Sequence, residues 1–351
     1  MTNAIVLLLL AAGCTLALWW GCRTLPHEGW QIAASIPVAK DAAGRWRGLN
    51  LTYYGVFQAT AYTLAVCLLF LLMGAVDIPA EGTIILTAGF LGPAVPASRL
   101  MARLVERKRA TFTVGGAVFV GVLLGPWIIL GVNRTLGPAL GFELPVAAGL
   151  AATAIAYALG EGVGRLACVS FGCCYGKPLS QLSPRLRRLF DRYGVVFSGS
   201  TKKIAYEGGL EGERVVPIQG MTAAIFLAIA LGGMALFLHG QYRLALGASF
   251  IATQAWRFFS ETLRADYRGE ARRFSAYQIM ALIGAAYLLA LLPALPDADL
   301  PPADLLAGLV TLWNPGLLLA LQGLWLTIFL YTGRSLVTGA SLTFYVHREV
   351  A

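Results

Sequence analysis

WRFFSETLRADYRG, Trp256 to Gly269, closes a run that is otherwise apolar enough to span a membrane. Arg257, Glu261 and Arg264 interrupt it at spacings of four and three, which predicts one shared helical face. An ionisable side chain at membrane depth costs about 2.5–3.5 kcal/mol on insertion scales, so such groups are paired, hydrated or bound to a polar ligand. Arg257 and Glu261 also fit a purely structural intramembrane pair. Their place beside Arg264 and a charged loop favours a ligand site.

The rest of the chain agrees with a membrane setting. Of its 351 residues, 58% are hydrophobic and 13% charged, and the mean hydropathy is +0.69, more apolar surface than a soluble core of this length needs. Forty glycines suit a helical bundle in which small residues let backbones approach. The predicted fold is an all-α polytopic bundle with about nine spans, near 4–20, 49–75, 83–98, 112–133, 143–163, 217–239, 242–263, 275–295 and 305–332.

Within that array, the short third span holds Pro93 and Pro96 and is expected to be broken or re-entrant. Asn314 and Pro315 predict a kink or split in the last. The polar insert 166–215 reads as a small extramembrane head with strands or short helices. The organisation is then an added N-terminal helix and loop (1–48), a core (49–296) and an added C-terminal helix and tail (297–351). The LAAGC around Cys14 resembles a lipobox, but no basic segment precedes it, so an uncleaved first helix is expected.

Twenty-two of the 27 basic residues fall in 22–48, 99–109, 164–215 and 263–274, which the span count puts on one face. Other loops are acidic or poor in charge, with Asp77 and Glu81 in one and Asp297 and Asp299 in another. The positive-inside rule makes the basic face cytoplasmic, whereas attraction of anionic lipid head groups explains the same charge without fixing the side. Arg185, Arg187, Arg188 and Arg192 read as a solvated or lipid-surface patch, with no nucleic-acid-binding pattern beside them. GEGVGR from Gly160 has the wrong glycine spacing for a phosphate loop.

Six cysteines, Cys14, Cys22, Cys67, Cys168, Cys173 and Cys174, show no paired metal-ligand spacing, so neither zinc nor any other cofactor is expected. Structural thiols are the expectation, with a Cys168–Cys173 disulfide as the weaker alternative.

Several of these residues carry a resemblance. Arg257, Glu261, Arg264, Asp266, Arg268 and Gly269, then Ser275 and Gln278, are similar to the R-x-x-x-E-x-x-R helix and S-x-x-Q element of prolipoprotein diacylglyceryl transferases. Gly164, Arg165 and Gly172 in GRLACVSFGCCYGKP resemble that family's Gly-Arg signature; Tyr53, Tyr54 and Gly55 its Trp-Tyr-Gly element; Pro217 and Gln219 its Pro-Ser-Gln element. The likeness runs from about Leu51 to Leu292. Departures are equally plain. Thr113 and Val114 precede Gly115 and Gly116 where the family has a histidine before a Gly-Gly pair, and Cys168 and Cys173 stand for its Asn and Glu. Of the three histidines, His27 lies in an active-face loop, while His239 and His347 read as surface or interface residues.

The resemblance implies a bacterial cytoplasmic (inner) membrane enzyme that uses phosphatidylglycerol or another anionic phospholipid. A lipobox cysteine of a prolipoprotein signal peptide attacks the terminal glycerol carbon, and glycerol phosphate leaves. It assigns Arg165, Arg257 and Arg264 to the phosphate, because guanidinium forms charge-assisted, bidentate hydrogen bonds to such oxygens. Glu261 orients an arginine; Tyr54, Gln219, Gln278, Gly115 and Gly116 line the substrate. For activating the thiol, Glu161 is one candidate base, although four residues before Arg165 it equally reads as an ion-pair partner. Cys173 is a candidate nucleophile or a structural thiol. Two alternatives keep the lipid site: a different acceptor or lipid reaction, and an anionic-lipid binding or transport protein without turnover.

Overall fold

The computed structural model describes residues 2–44, 46–105, 107, 113–267, 273–296 and 300–342, with 336–342 described by backbone. Arg268, Gly269, Asp297, Asp299 and His347 lie outside the described residues. The chain is an all-α polytopic membrane bundle. Its helices are α1 (Thr2–Thr24), α2 (Tyr53–Gly74), α3 (Ala80–Val105), α4 (Val114–Arg134), α5 (Leu136–Leu140), α6 (Val146–Phe171), α7 (Pro184–Phe190), α8 (Lys203–Tyr206), α9 (Ile218–Leu238), α10 (Tyr242–Ser260), α11 (Ala276–Leu291), α12 (Leu305–Leu312) and α13 (Pro315–Thr332). Five short strands accompany them: β1 (Ile32–Lys40), β2 (Trp46–Thr52), β3 (Val195–Val196), β4 (Arg214–Val215) and β5 (Arg334–Leu342).

Among the described residues, eight helices are long and apolar enough to cross a membrane: α1, α2, α3, α4, α6, α9, α11 and α13. The ninth expected span is α10. It keeps the length of a crossing, about 28 Å at 1.5 Å per residue, but Arg243, Gln254 and Arg257 make it less apolar. The expected split of the last span occurs: Asn314 caps α13 by accepting from the amides of Gly316 and Leu317, and Pro315 occupies its first turn.

α3 corrects the expectation of a broken element, since it runs unbroken through Pro93 and Pro96. A proline ring presses on the carbonyl four residues back, and both of those residues, Gly89 and Gly92, are glycines. Their backbone can tilt the carbonyl aside without a Cβ obstructing it.

α6 is the central helix, buried along most of its length. Its sequence alternates alanine and glycine with few large side chains, so neighbours come close: a Cβ on Gly160 would lie 2.8 Å from the Ala65 Cβ of α2, and one on Gly162 2.9 Å from Leu227 of α9. This small-residue packing sets the main core, which includes Leu72, Ile129, Ile155, Phe226 and Phe237.

The crossings bring the basic loops onto one face, as the span count predicts. There the amide of Ser198 donates to the Pro26 carbonyl (3.2 Å), that of Lys177 to Leu263 (2.9 Å) and that of Thr52 to Gly333 (2.9 Å). On the opposite face the Asn3 amide side chain donates to the Ala303 carbonyl (2.8 Å) and the Asp304 amide to Ala75 (2.8 Å).

The residues between α6 and α9 form the expected head, with α7, α8 and the β3–β4 pair seated on the end of α6 through Leu25, Leu166, Phe197 and Ile204. A second feature is new. β1, β2 and β5 form an antiparallel sheet in the order β1-β2-β5, joining the stretch before α2 to the stretch after α13. Most β1 side chains are exposed, so its sequence lacks the apolar–polar alternation that marks a half-buried strand.

Helix α12 approaches α2 so closely that a Cβ on Gly308 would lie 2.1 Å from the Leu71 carbonyl oxygen, whereas nothing lies within 4 Å of one on Gly323. Gly308→Val is expected to lower stability by about 1–3 kcal/mol, read as a fall in the apparent Tm of the detergent-solubilised protein. Gly323→Val should leave it near wild type.

Candidate functional site

Tyr157, Glu161 and Arg165 follow one another at four-residue spacing on α6 and so occupy one face. Arg165 and Glu161 form a largely enclosed ion pair, which supplies each with the opposite charge that burial demands. From α10, the Arg257 guanidinium donates to the Tyr157 hydroxyl (2.8 Å). Arg257 therefore meets the face of α6 that carries Arg165, at Tyr157, whose position is about 12 Å from that of Arg165 along the helix axis at 1.5 Å per residue. Among the described residues Arg257 has no carboxylate partner, and only a hydroxyl satisfies it.

The first turn of α4 lies beside Arg257. A Cβ on Gly115 would come 3.4 Å from the Arg257 Nη2 and 2.7 Å from the Tyr277 ring; one on Gly116 would strike Met101 of α3 at 2.6 Å. Only glycines permit these approaches. Thr113 precedes the helix, but its hydroxyl donates to the Ser98 carbonyl (3.2 Å) and caps no α4 amide. Its amide donates to the Ser98 hydroxyl (2.7 Å), which in turn donates to the Thr113 carbonyl (2.9 Å). Residue 113 is thus a clamp between α3 and α4, and its side chain leaves the leading amides of α4 uncapped.

Arg264 departs from the expected shared helical face. α10 ends at Ser260, Glu261–Leu263 form a 3₁₀ turn, and Arg264 is extended in a bridge with Gly176 of the head. Backbone hydrogen bonds to the head, Lys177 N–H to Leu263 O (2.9 Å) and Ala265 N–H to Tyr175 O (3.1 Å), outcompete another helical turn. Asp266 grips Arg264 through two 2.8 Å hydrogen bonds. Burial works against the Arg264 charge, but attraction from Cys174, Asp266 and Glu261 more than offsets it and holds the guanidinium above its ordinary value. Glu261 also accepts from the Ser275 hydroxyl at 3.4 Å.

The two glutamines have structural partners. Gln278 completes a capping box with Ser275 at the start of α11, and its amide nitrogen donates to the Phe258 carbonyl (3.0 Å). Gln219 is buried and donates to the Cys173 carbonyl (2.9 Å). Tyr54 opens α2, packs edge-on against Phe171 at 5.6 Å and lies within electrostatic range of Cys168, Cys173 and Cys174. His27 approaches Ser198 of the head at 3.5 Å.

All six cysteines are free, and three of them meet. The sulfurs of Cys168, Cys173 and Cys174 lie within 4.8 Å of one another. α6 ends on Gly172, whose φ of +68° reverses the chain, and Cys174 follows at φ +56°. That double left-handed turn folds the adjacent pair back onto the last turn of the helix. Hydrogen bonding to Cys168 and Cys174, with burial, pushes the Cys173 thiol up. Contacts with Cys168 and Cys173, then the charges of Arg264 and Arg165, hold Cys174 well below the ordinary thiol range.

Sequence reasoning passed over Tyr157, which joins Arg257 to α6, and Lys202. The Lys202 side chain is fully buried in the head, donating to the carbonyls of Ser170 (2.7 Å) and Leu25 (3.1 Å), and so ties the ends of α6 and α1 together. No local pattern marks it. Comparison of the sequence with protein-family models gives no match, and neither does comparison with curated proteins.

Burial pushes Lys202 down to about 8 from 10.5, with Glu28 acting in the opposite sense. The folded protein therefore binds fewer protons than the unfolded chain between those values, and this group makes stability rise with pH across that window. Wild-type apparent Tm, compared with that of Lys202→Met at each pH, should climb from pH 8 to pH 10. A flat difference would mean that the ammonium is not desolvated.

Proposed function

We propose that the protein binds phosphatidylglycerol or another anionic phospholipid and transfers its diacylglyceryl group to a thiol, that of a prolipoprotein cysteine being the direct acceptor. The observation that carries this reading is Arg257, a half-buried guanidinium whose partner among the described residues is a tyrosine hydroxyl rather than a carboxylate. An arginine left uncompensated inside an apolar bundle calls for an anion. The leading amides of α4 stand beside it at the positive end of that helix, where the missing Cβ of Gly115 lets the Tyr277 ring and the Arg257 guanidinium close in on the helix start.

In this mechanism the acceptor thiolate attacks the terminal glycerol carbon. The carbon–sulfur bond forms as the carbon–oxygen bond breaks, and the electron pair leaves on glycerol phosphate. Arg257 stabilises the growing phosphate charge, where low effective dielectric makes a fixed cation most effective. Arg165 and Arg264 already have carboxylate partners and act as oriented dipolar pairs around the site. Glu161 serves as the counterion of Arg165, the plainer of its two readings.

The second reading, lipid binding without turnover, draws support from Thr113. Where the resembled family carries its histidine, this residue is locked to Ser98 through three hydrogen bonds and supplies no base.

Expression in a bacterium depleted of its prolipoprotein transferase tests the reading. Wild type should restore the mobility shift of a lipidated lipoprotein, and Arg257→Ala should lower it at least 100-fold (about 2.7 kcal/mol) while still inserting. Consumption of labelled phosphatidylglycerol without lipoprotein product would point to another acceptor. Binding without consumption would leave the lipid-binding class.

The acceptor reaches the outer side of the cytoplasmic membrane, so the basic face is assigned to the periplasm. Ser198 is exposed on the head, and a cysteine there should react with an impermeant maleimide in intact spheroplasts. Labelling that requires lysis would reverse the orientation and remove secreted lipoproteins as substrates.

A further inference from the structure

We infer that Cys168, Cys173 and Cys174 form a binding site for one thiophilic d10 cation, zinc(II) or copper(I). The inference goes beyond the proposed lipid transfer and stands without it. The spacing of the cysteines in sequence predicts no such site. It arises because the chain reverses at Gly172 and again at Cys174, both at positive φ, and returns two thiols to the third.

The dimensions match the chemistry. A metal–sulfur bond of about 2.3 Å places two sulfurs on a shared metal about 3.8–4.0 Å apart. Cys168 and Cys174 stand at 3.9 Å, and all three sulfurs lie within 4.8 Å, so a small inward movement of one side chain closes the triangle. Soft thiolates select these ions over hard cations.

The turn is also rigid in a way that a site requires. Gln219 holds the Cys173 carbonyl (2.9 Å), the Cys173 amide donates to the Cys168 carbonyl (3.1 Å), and the Ile204 amide donates to the Gly172 carbonyl (3.0 Å). A non-glycine residue in the left-handed region is strained and persists where its surroundings enforce it. Cys174 is such a residue.

A cation stands nearby. Three thiolates around a divalent ion carry one net negative charge, and the Arg165 guanidinium, which is paired with Glu161, still presents its Nη1 at 3.9 Å from the Cys168 sulfur. Such outer contacts orient ligands and tune affinity by about 10–100-fold. Cys168 is buried while Cys173 and Cys174 are partly exposed, which gives an ion an entry path. Among the described residues no histidine or carboxylate joins the group, so zinc would keep its fourth position for an exogenous ligand, whereas copper(I) is satisfied by three.

The test is metal analysis of the full-length protein purified under reducing conditions, followed by separate titration of the metal-free protein with zinc(II) and copper(I) against a chromophoric chelator. About one equivalent of either ion is expected, and the ion retained distinguishes the two. Cobalt(II) should add sulfur-to-metal charge-transfer absorption. Cys168→Ser and Cys174→Ser should abolish stoichiometric binding, Arg165→Met should weaken it about 10–100-fold, and Cys67→Ser on α2 should keep it. Failure of wild-type protein to compete with the chelator for either ion would overturn the site, as would a Cys168–Cys174 disulfide in the reduced preparation. Because both readouts use wild type, a variant that misfolds does not decide the outcome.

Discussion

A charge inside an apolar bundle has to be answered, and the architecture around α6 is arranged by the answers. Glu161 and Arg165 sit on the helix that is most enclosed, where either alone would be severely destabilising. Their pairing lets α6 carry polar chemistry while its alanines and glycines draw α2, α9 and α10 close. Arg257 follows a different solution, resting on Tyr157 with no carboxylate partner among the described residues. That contrast separates a charge used to hold the fold from the one to which the proposed function assigns an anion.

The same constraint explains the junction between the membrane helices and the head. Arg264 leaves α10 because the head offers its segment backbone partners and Asp266 offers its guanidinium a bidentate acceptor. Lys202 is drawn inward by two carbonyls, those of Leu25 and Ser170. The head is therefore fastened to the ends of α1, α6 and α10 by polar contacts shielded from water, where hydrogen bonds are electrostatically strongest. The turn at Gly172 and Cys174 belongs to this junction. It places three sulfurs within reach of Arg165 and Arg264, and so couples the thiols to the guanidinium pairs.

The segments outside the core at either end are tied to the same faces. β2 lies between β1 and β5, and Asn3 of α1 bonds the backbone at Ala303 and Leu305. Helices α1 and α13 are thus tied to the rest of the bundle at opposite faces.

Much of this was legible from composition and spacing. Apolar runs fixed the membrane class and the order of the spans, since a helix is the simplest way to satisfy backbone groups in hydrocarbon. Loop charge gathered the basic segments on one face, and Asn314–Pro315 marked the split between α12 and α13, because caps and prolines act over a few residues. The i, i+4 pair of Glu161 and Arg165 was readable for the same reason. Local rules failed where distant segments competed. The unbroken path of α3 through two prolines, the departure of Arg264 from its helical face, the β1-β2-β5 sheet, the burial of Lys202 and the meeting of three thiols all depend on partners remote in sequence. Periodicity reports only neighbours within a turn or two, whereas hydrogen-bond demand and close packing are settled by whatever the folded chain brings alongside.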